Sequence, residues 1–515
     1  MTQPKVVAAI DVGSHSLRLL VAEVAANGKV RQLDHLVVPV MIGRDTFSGG
    51  RISNATMREV AEVLKGFART MKEYGVEHYR AIATSAVREA LNRDTFLDGV
   101  QTASGLAIQA VEPIEETRLV HQVVRRSMGE AFSGSNRDIM ILALGAGSAE
   151  ITVFHEGKLI FTETGRIGTL RLLETLSSDA SDRLLYQRLS TFVINVANTL
   201  ERVHRLSGID TLVVVNSELY ELLERNKFAG VTRRDNLIEV KKGAFLRVAK
   251  RIAGTTIDER VEKFKLGYDS AETVTAAMIV TEAFLETTRS KEVAFPRVSV
   301  LDSLLLDVVE GAAPGEATPE FEEDVIASAA AIGRKYHYDE AHGRHVEKLS
   351  LMLYEQLEEF CGLKKEYRLL LRVAAILHDI GIFVSSRSHH KHSHYLIMQS
   401  EILGISSDAL KIIAQVARYH RRATPRVGHV DYWALPQSAR VAVSKIASIL
   451  RIADALDRNH SQEIVSVEAI TGDEELVIEV RSKGDLLADE WALETKADLF
   501  TEVFGLSVIL SRAQR

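Results

Sequence analysis

VVAAIDVGSHSLRLLVAEV, Val6 to Val24, is the stretch whose reading decides the fold. Val6–Ile10 is an apolar run of strand length, and Leu17–Val24 is a second one. Between them Asp11-Val-Gly-Ser-His-Ser16 forms a tight turn, where Gly13 lets the backbone bend or approach a ligand closely. Such a turn serves as a plain hairpin. It also exposes successive N–H groups that hold phosphate oxygens, with Ser14 and Ser16 as added donors. The pattern returns at DIMILALGAGSAEITVF, Asp138 to Phe154. Overlaying the turns pairs Gly13 with Gly145 and Ser16 with Ser148, while Asp11 falls on Ala143. A duplicated strand–turn–strand with phosphate loops facing each other predicts two similar domains flanking a cleft.

The segments between the repeats carry further candidates. Ile52 to Tyr74 has Met57, Val60, Leu64, Phe67 and Met71 at helical spacing, with Ser53 as cap and Gly75 as stop. A strand around Tyr79–Ala83 leads into Thr84-Ser-Ala-Val-Arg88, whose hydroxyls and guanidinium suit an anion at a helix start, or simply cap a surface helix. Glu115 and Glu116 open another helix, where the dipole alone favours acids. A catalytic role needs one of the two carboxylates to turn inward.

At 515 residues the chain is too long for one core and suggests about three to four domains. Hydrophobic content of 46% and a net charge of −7 describe a soluble globular protein and argue against general nucleic-acid binding. One cysteine, Cys361, excludes an intramolecular disulfide framework and fits a reducing cytoplasm. MTQPK runs straight into a strand, so no signal peptide is expected, and no apolar run is long enough for a membrane span.

AIDVGSHSLRL, TSAVREALN, EETRL and GAGSAE together resemble the exopolyphosphatase/guanosine pentaphosphatase (Ppx/GppA) family of the actin-like superfamily. The resemblance implies an α/β, duplicated ribonuclease H-like N-terminal half that hydrolyses terminal phosphoanhydrides of polyphosphate or pppGpp. It implies that Asp11 and Glu150 help bind Mg²⁺, that Ser14, Arg88, Gly145, Gly147 and Ser148 cradle phosphate, and that Glu116 activates the attacking water. The chain departs from the family pattern at four places. Ala143 stands where the family has Asp, His15 where it has Asn, Val215-Asn-Ser-Glu-Leu219 replaces a glycine turn, and Leu301-Asp-Ser-Leu304 replaces an arginine-glycine signature. These losses motivate the alternative of a degenerate half that senses polyphosphate or a guanosine alarmone.

Residues 311–319, GAAPGEATP, read as a linker between domains at 1–130 and 131–310 and an all-α domain at 320–460. Ten of the 17 histidines fall between His337 and His429. LLLRVAAILHDIGIFVSSRSHHKHSHY, Leu369 to Tyr395, is an apolar run ending in His378-Asp379, followed by a loop holding four histidines. His345, His378, Asp379, His392, His420 and Asp454 follow an order that resembles the HD metal phosphohydrolases. Six N/O ligands suit one octahedral ion or a pair, such as Mn²⁺, Fe²⁺ or Zn²⁺. Arg387, Lys391, Arg421, Arg422 and Arg426 read as a basic rim, with His389, His390 and His394 at the rim or behind the ligands. Residues 461–515 read as a small α+β subdomain that carries no chemistry and packs or dimerises, so a homodimer is expected.

Overall fold

The computed structural model describes residues 5–25, 30–129, 137–176, 182–234, 236–310, 319–421 and 423–513. It divides into two compact units, Met1–Gly315 and Glu316–Arg515. The linker read at 311–319 lies outside the described residues except at its last position. No helix among the described residues is long and apolar enough to cross a membrane.

The first unit holds two sheets built to one plan. β1 (Lys5–Val12) and β2 (Ser16–Val24) form the antiparallel pair expected from the apolar runs, and β3 (Val30–Pro39) extends it. Helix Asn54–Glu73 follows, with Ser53 accepting from the Thr56 N–H at 3.2 Å and Gly75 at φ +67° ending it. β4 (His78–Ala83) then lies parallel to β1, and β5 (Gln109–Ala110) parallel to β4. The order is β3-β2-β1-β4-β5.

The second sheet repeats this plan with β6 (Asp138–Leu144), β7 (Ala149–His155), β8 (Lys158–Gly165) and β9 (Thr211–Val215). β10 (Val231–Arg234), β11 (Leu237–Lys241) and β12 (Glu292–Pro296) complete it in the order β10-β11-β12-β9-β6-β7-β8. In each copy the first strand pairs antiparallel with the second and parallel with the fourth. Register makes the duplication exact in kind: Asp11 faces Arg18 and Ile82, while Ala143 faces Glu150 and Val215.

Helix Val300–Glu310 returns to the first sheet. Leu301, Leu304 and Leu305 pack with Val7, Ala9, Leu20, Ile82 and Leu119. Leu301-Asp-Ser-Leu304 thus supplies core contacts to the N-terminal lobe, although it follows the second lobe in sequence.

In the second unit, helices Pro319–Lys335, Glu340–Leu357, Glu366–Leu377, Ser407–Arg418 and Gln437–Ala455 share one core that includes Leu349, Leu353, Ala374, Ile413 and Ile446. The four-histidine stretch is a helix, His389–Met398, and not the expected loop. Ser393 and Ile397 bury its inner face, and the Ser393 hydroxyl accepts from the Gly381 N–H at 2.9 Å. Gly381 makes this approach possible, because a Cβ there would lie 2.2 Å from the His389 carbonyl oxygen. β13 (Ile464–Thr471), β14 (Glu475–Ser482) and β15 (Ser507–Arg512) form a small sheet in that order. Helices Leu487–Lys496 and Asp498–Phe504 make the crossover that a parallel β14–β15 pair requires.

Candidate functional site

The two turns converge on one cleft in the first unit. Gly13 N–H donates to the Ser16 carbonyl at 3.0 Å, and Gly145 N–H donates to the Ser148 carbonyl at 3.0 Å. Identical closures present both turns to a cleft of about 1050 Å³ lined by Asp11, Gly13, Ser14, Glu116, Ala143, Gly145, Ser148 and Glu150. Arg18 also lines it, 3.1 Å from the Ser16 hydroxyl and 3.4 Å from that of Ser217. One Asp11 carboxylate oxygen is buried with no hydrogen-bond partner. Burial raises the Asp11 pKa to about 6, opposed by the Arg18 charge and reinforced by Glu116. An orphaned carboxylate oxygen among hard oxygen donors fits a divalent cation such as Mg²⁺. The three carboxylates do not approach within 4.8 Å as a group, so such an ion would take most of its ligands from water and phosphate.

The adjacent acids at 115 and 116 separate into two roles. Glu115 is held by Arg118 at 2.8 Å and Arg80 at 2.7 Å, and both arginines also engage Asp307 on the returning helix. Burial raises the Glu115 carboxyl, but those two guanidinium groups outweigh it and hold the pKa below the usual range. Glu116 is the one that turns inward. Arg88, expected to cradle phosphate, does not line the cleft; its Nη1 donates to the Val111 carbonyl at 2.9 Å and reaches Glu116 at 3.4 Å. Its place is behind Glu116. Gly147 is likewise outside the lining, because it packs against Ser85: a Cβ would sit 2.2 Å from that hydroxyl.

A third wall went unread in the sequence. Asn216, Ser217 and Glu218 line the cleft at the end of β9. Asn216 accepts from the Leu219 N–H and donates to the Leu144 carbonyl, both at 2.9 Å, so it caps helix Ser217–Arg225 and ties it to β6. The glycine turn is replaced by a capped helix start, and Asn followed by Ser-Glu before an apolar residue was the signal.

The second unit holds a compact cluster of metal-type ligands. His342, His378 and Asp454 form one group and Asp379, His389 and His420 another, each with ligand atoms within 4.8 Å. His342 and His378 approach at 3.3 Å between Nε2 atoms, with an Asp454 oxygen 3.7 and 3.8 Å away. Asp379 touches both groups: Oδ2 lies 3.7 Å from His378, while Oδ1 lies 3.0 Å from His389 and 3.3 Å from His420. Burial pushes the His378 pKa down to about 4, which leaves it in the neutral form a metal requires. Carbonyls of Ala375 and Ala417 and the carboxylate of Asp457 hold the far nitrogens of His378, His420 and His342. Lys496 pairs with the outer oxygen of Asp454.

Two residues read as ligands in the sequence stand apart from these groups. His345 lies outside every group; its Nε2 is buried without a partner and its place is taken by His342, one turn earlier on the same helix. His392 is also outside, and His389, again one turn earlier, takes its place. Of the basic rim, Arg422 lies outside the described residues.

Two sheets of one topology, with paired glycine turns facing a common cleft, define the two-lobed actin-like class. Among solved structures of that plan is an exopolyphosphatase from Cytophaga hutchinsonii, at TM-score 0.54 and 19% identity, covering 60% of this chain and 99% of that one. The chain belongs to the Ppx/GppA phosphatase family, whose model matches residues 20–310; residues 326–502 match the model described as Ppx/GppA phosphatase, domain III. Curated relatives include the guanosine-5'-triphosphate,3'-diphosphate pyrophosphatase of Pseudoalteromonas translucida, 21% identical with 96% of each chain covered. That of Aliivibrio fischeri is 22% identical, with 91% of this chain and 90% of the relative covered.

Proposed function

We propose that the first unit hydrolyses the terminal phosphoanhydride bond of inorganic polyphosphate or pppGpp in the cytoplasm, with Glu116 as general base. The supporting observation is that Glu116, Asp11 and Glu150 meet the two glycine turns in one cleft. Gly13 and Gly145 close the turns, and N–H and hydroxyl groups of Ser14 and Ser148 hold the phosphate oxygens. Arg18 offsets their charge from the rim. A water oxygen attacks the terminal phosphorus, the bridging P–O bond breaks, and the proton passes to Glu116. Arg88 holds Glu116 in place for that transfer. Mg²⁺ bound near Asp11 and Glu150 supplies charge neutralisation. In a malachite-green assay with both substrates, Glu116→Ala lowers phosphate release by about 10²–10⁴-fold without loss of folding. Unchanged release excludes the assignment. Binding of either substrate without turnover in the wild type selects the sensor reading instead.

The second reading concerns the helical unit. We take residues 320–460 as an HD-type domain whose two ligand groups, bridged by Asp379, hold a pair of ions such as Mn²⁺, Fe²⁺ or Zn²⁺ for phosphoester hydrolysis. Elemental analysis tests it: the wild type retains about two equivalents of metal and His378→Ala/Asp379→Ala retains none. A metal-free wild type after reconstitution removes the reading.

A further inference from the structure

His460 was singled out by no motif, yet it stands at the edge of the metal-type cluster. One of its ring nitrogens lies within 4.8 Å of ligand atoms of His342 and Asp379. Its backbone is left-handed at φ +54°, a conformation rare for a residue with a side chain and kept only where surroundings enforce it. Two contacts fix the ring. Nδ1 lies 2.9 Å from Asp339 Oδ2, and the ring stacks on His342 at 3.6 Å between centroids with planes 2° apart. The side chain remains 36% exposed, unlike the buried ring of His342.

This geometry excludes the simplest role. An imidazole lone pair lies in the plane of its ring, so an ion must lie near that plane to be ligated. An ion in the plane of His342 lies about 3.6 Å above the plane of His460, since the rings are parallel. One ion cannot be bound by both. His342 points at His378, which places it with the ligands. His460 keeps one ring nitrogen within 4.8 Å of ligand atoms of His342 and Asp379 and faces the space beside the cluster, with part of its ring exposed.

We infer that His460, held by Asp339, is a catalytic residue of the helical unit that orients the attacking water and accepts its proton. The inference rests on the metal-dependent hydrolysis proposed above for this unit. Asp339 accepts from Nδ1–H and so leaves the Nε2 lone pair free. The water oxygen forms the new bond to phosphorus, the P–O bond to the leaving group breaks, and the water proton moves to Nε2. From there it passes to the departing oxygen or to solvent. Asp339 also caps helix Glu340–Leu357 by accepting from the His342 N–H at 3.1 Å, so the dyad and a cluster residue share one anchor.

The test uses the full-length chain carrying Glu116→Ala to silence the first cleft, reconstituted with Mn²⁺ and assayed on bis(4-nitrophenyl) phosphate. His460→Ala lowers kcat by about 100-fold with bound Mn²⁺ unchanged, and added imidazole restores part of the rate. Asp339→Asn, which keeps the helix cap, lowers kcat by about 10-fold and likewise retains Mn²⁺. Unchanged hydrolysis in His460→Ala overturns the inference, and so does loss of Mn²⁺, which would make His460 a ligand. If the parent protein itself neither binds Mn²⁺ nor hydrolyses the probe, the metal reading of the unit falls and the inference falls with it.

Discussion

The turns after β1 and β6 have the same backbone and different charges. Both are closed by a glycine N–H donating to a serine carbonyl three residues on, at the same 3.0 Å. At the strand end before the turn, the first copy has Asp11 opposite Arg18, and the second has Ala143 opposite Glu150. The carboxylate thus sits on the first strand in one copy and on the second strand in the other, and the second copy has no cation at either position. The backbone closure is shared between the copies, and the strand-end charges are not. The cleft is therefore asymmetric at the strand ends, with Asp11 on the first strand of one lobe and Glu150 on the second strand of the other.

The largest effect expected from this asymmetry is at Asp11. Asp11→Asn keeps volume and removes the orphaned carboxylate charge, so turnover of polyphosphate or pppGpp falls about 100-fold or more at saturating Mg²⁺. A loss below tenfold would show that the cleft is organised without Asp11. The companion change Glu115→Gln separates chemistry from framework. It breaks the buried pairs to Arg80 and Arg118, so thermal stability drops by about 3–5 kcal/mol while turnover per folded molecule stays near wild type.

A smaller effect distinguishes the turns themselves. A Cβ on Gly13 would lie 2.9 Å from the Ser16 carbonyl oxygen, a backbone atom that cannot move without opening the turn; on Gly145 the same distance to Ser148 is 3.4 Å. Gly13→Ala should destabilise by about 1–3 kcal/mol, and Gly145→Ala by less than about 1 kcal/mol, read from denaturant midpoints of the first unit's transition. Equal costs would mean that the turns are packed alike and that the erosion of the second lobe is confined to side chains.

Much of this was legible because strand and turn signals are local. Alternating apolar runs around glycine located β1, β2, β6 and β7, and overlaying them showed the duplication before any fold was known. The ligand cluster was legible from the order of its residues, and His378, Asp379, His420 and Asp454 fall within the groups. Two histidines read as ligands stand outside the groups, each with a grouped histidine three positions earlier: His342 before His345, and His389 before His392. Residues three apart share a helix face, so sequence cannot separate them. What separates them is tertiary: Asp457 takes the far nitrogen of His342, and the approach at Gly381 sets the rotation of helix His389–Met398. Arg88 shows the same limit. A guanidinium near a helix start suits phosphate, but only the fold reveals the Val111 carbonyl and Glu116 waiting beside it. His460 lacked even a motif, since its place depends on Asp339, 121 positions away.

The finest test of the comparison restores the missing acid. Ala143 lines the cleft on β6, half-buried, with Glu150 directly opposite on β7 and Val215 beside it on β9. Ala143→Asp would place a second carboxylate next to Glu150. Like charges directly opposite across an antiparallel pair repel, so in chelator the variant should be destabilised by about 0.5–1 kcal/mol. With Mg²⁺ the same closeness becomes a cation site, and turnover should rise several-fold, about 1 kcal/mol of barrier. Mg²⁺ should also raise the variant's melting temperature more than the wild type's, since a ligand that binds only the folded state stabilises it. A penalty in chelator without any gain in Mg²⁺ would move the defect from the second turn to the third wall. There Asn216-Ser-Glu218 has put a capped helix start where the family places glycine, and no carboxylate at position 143 can undo that.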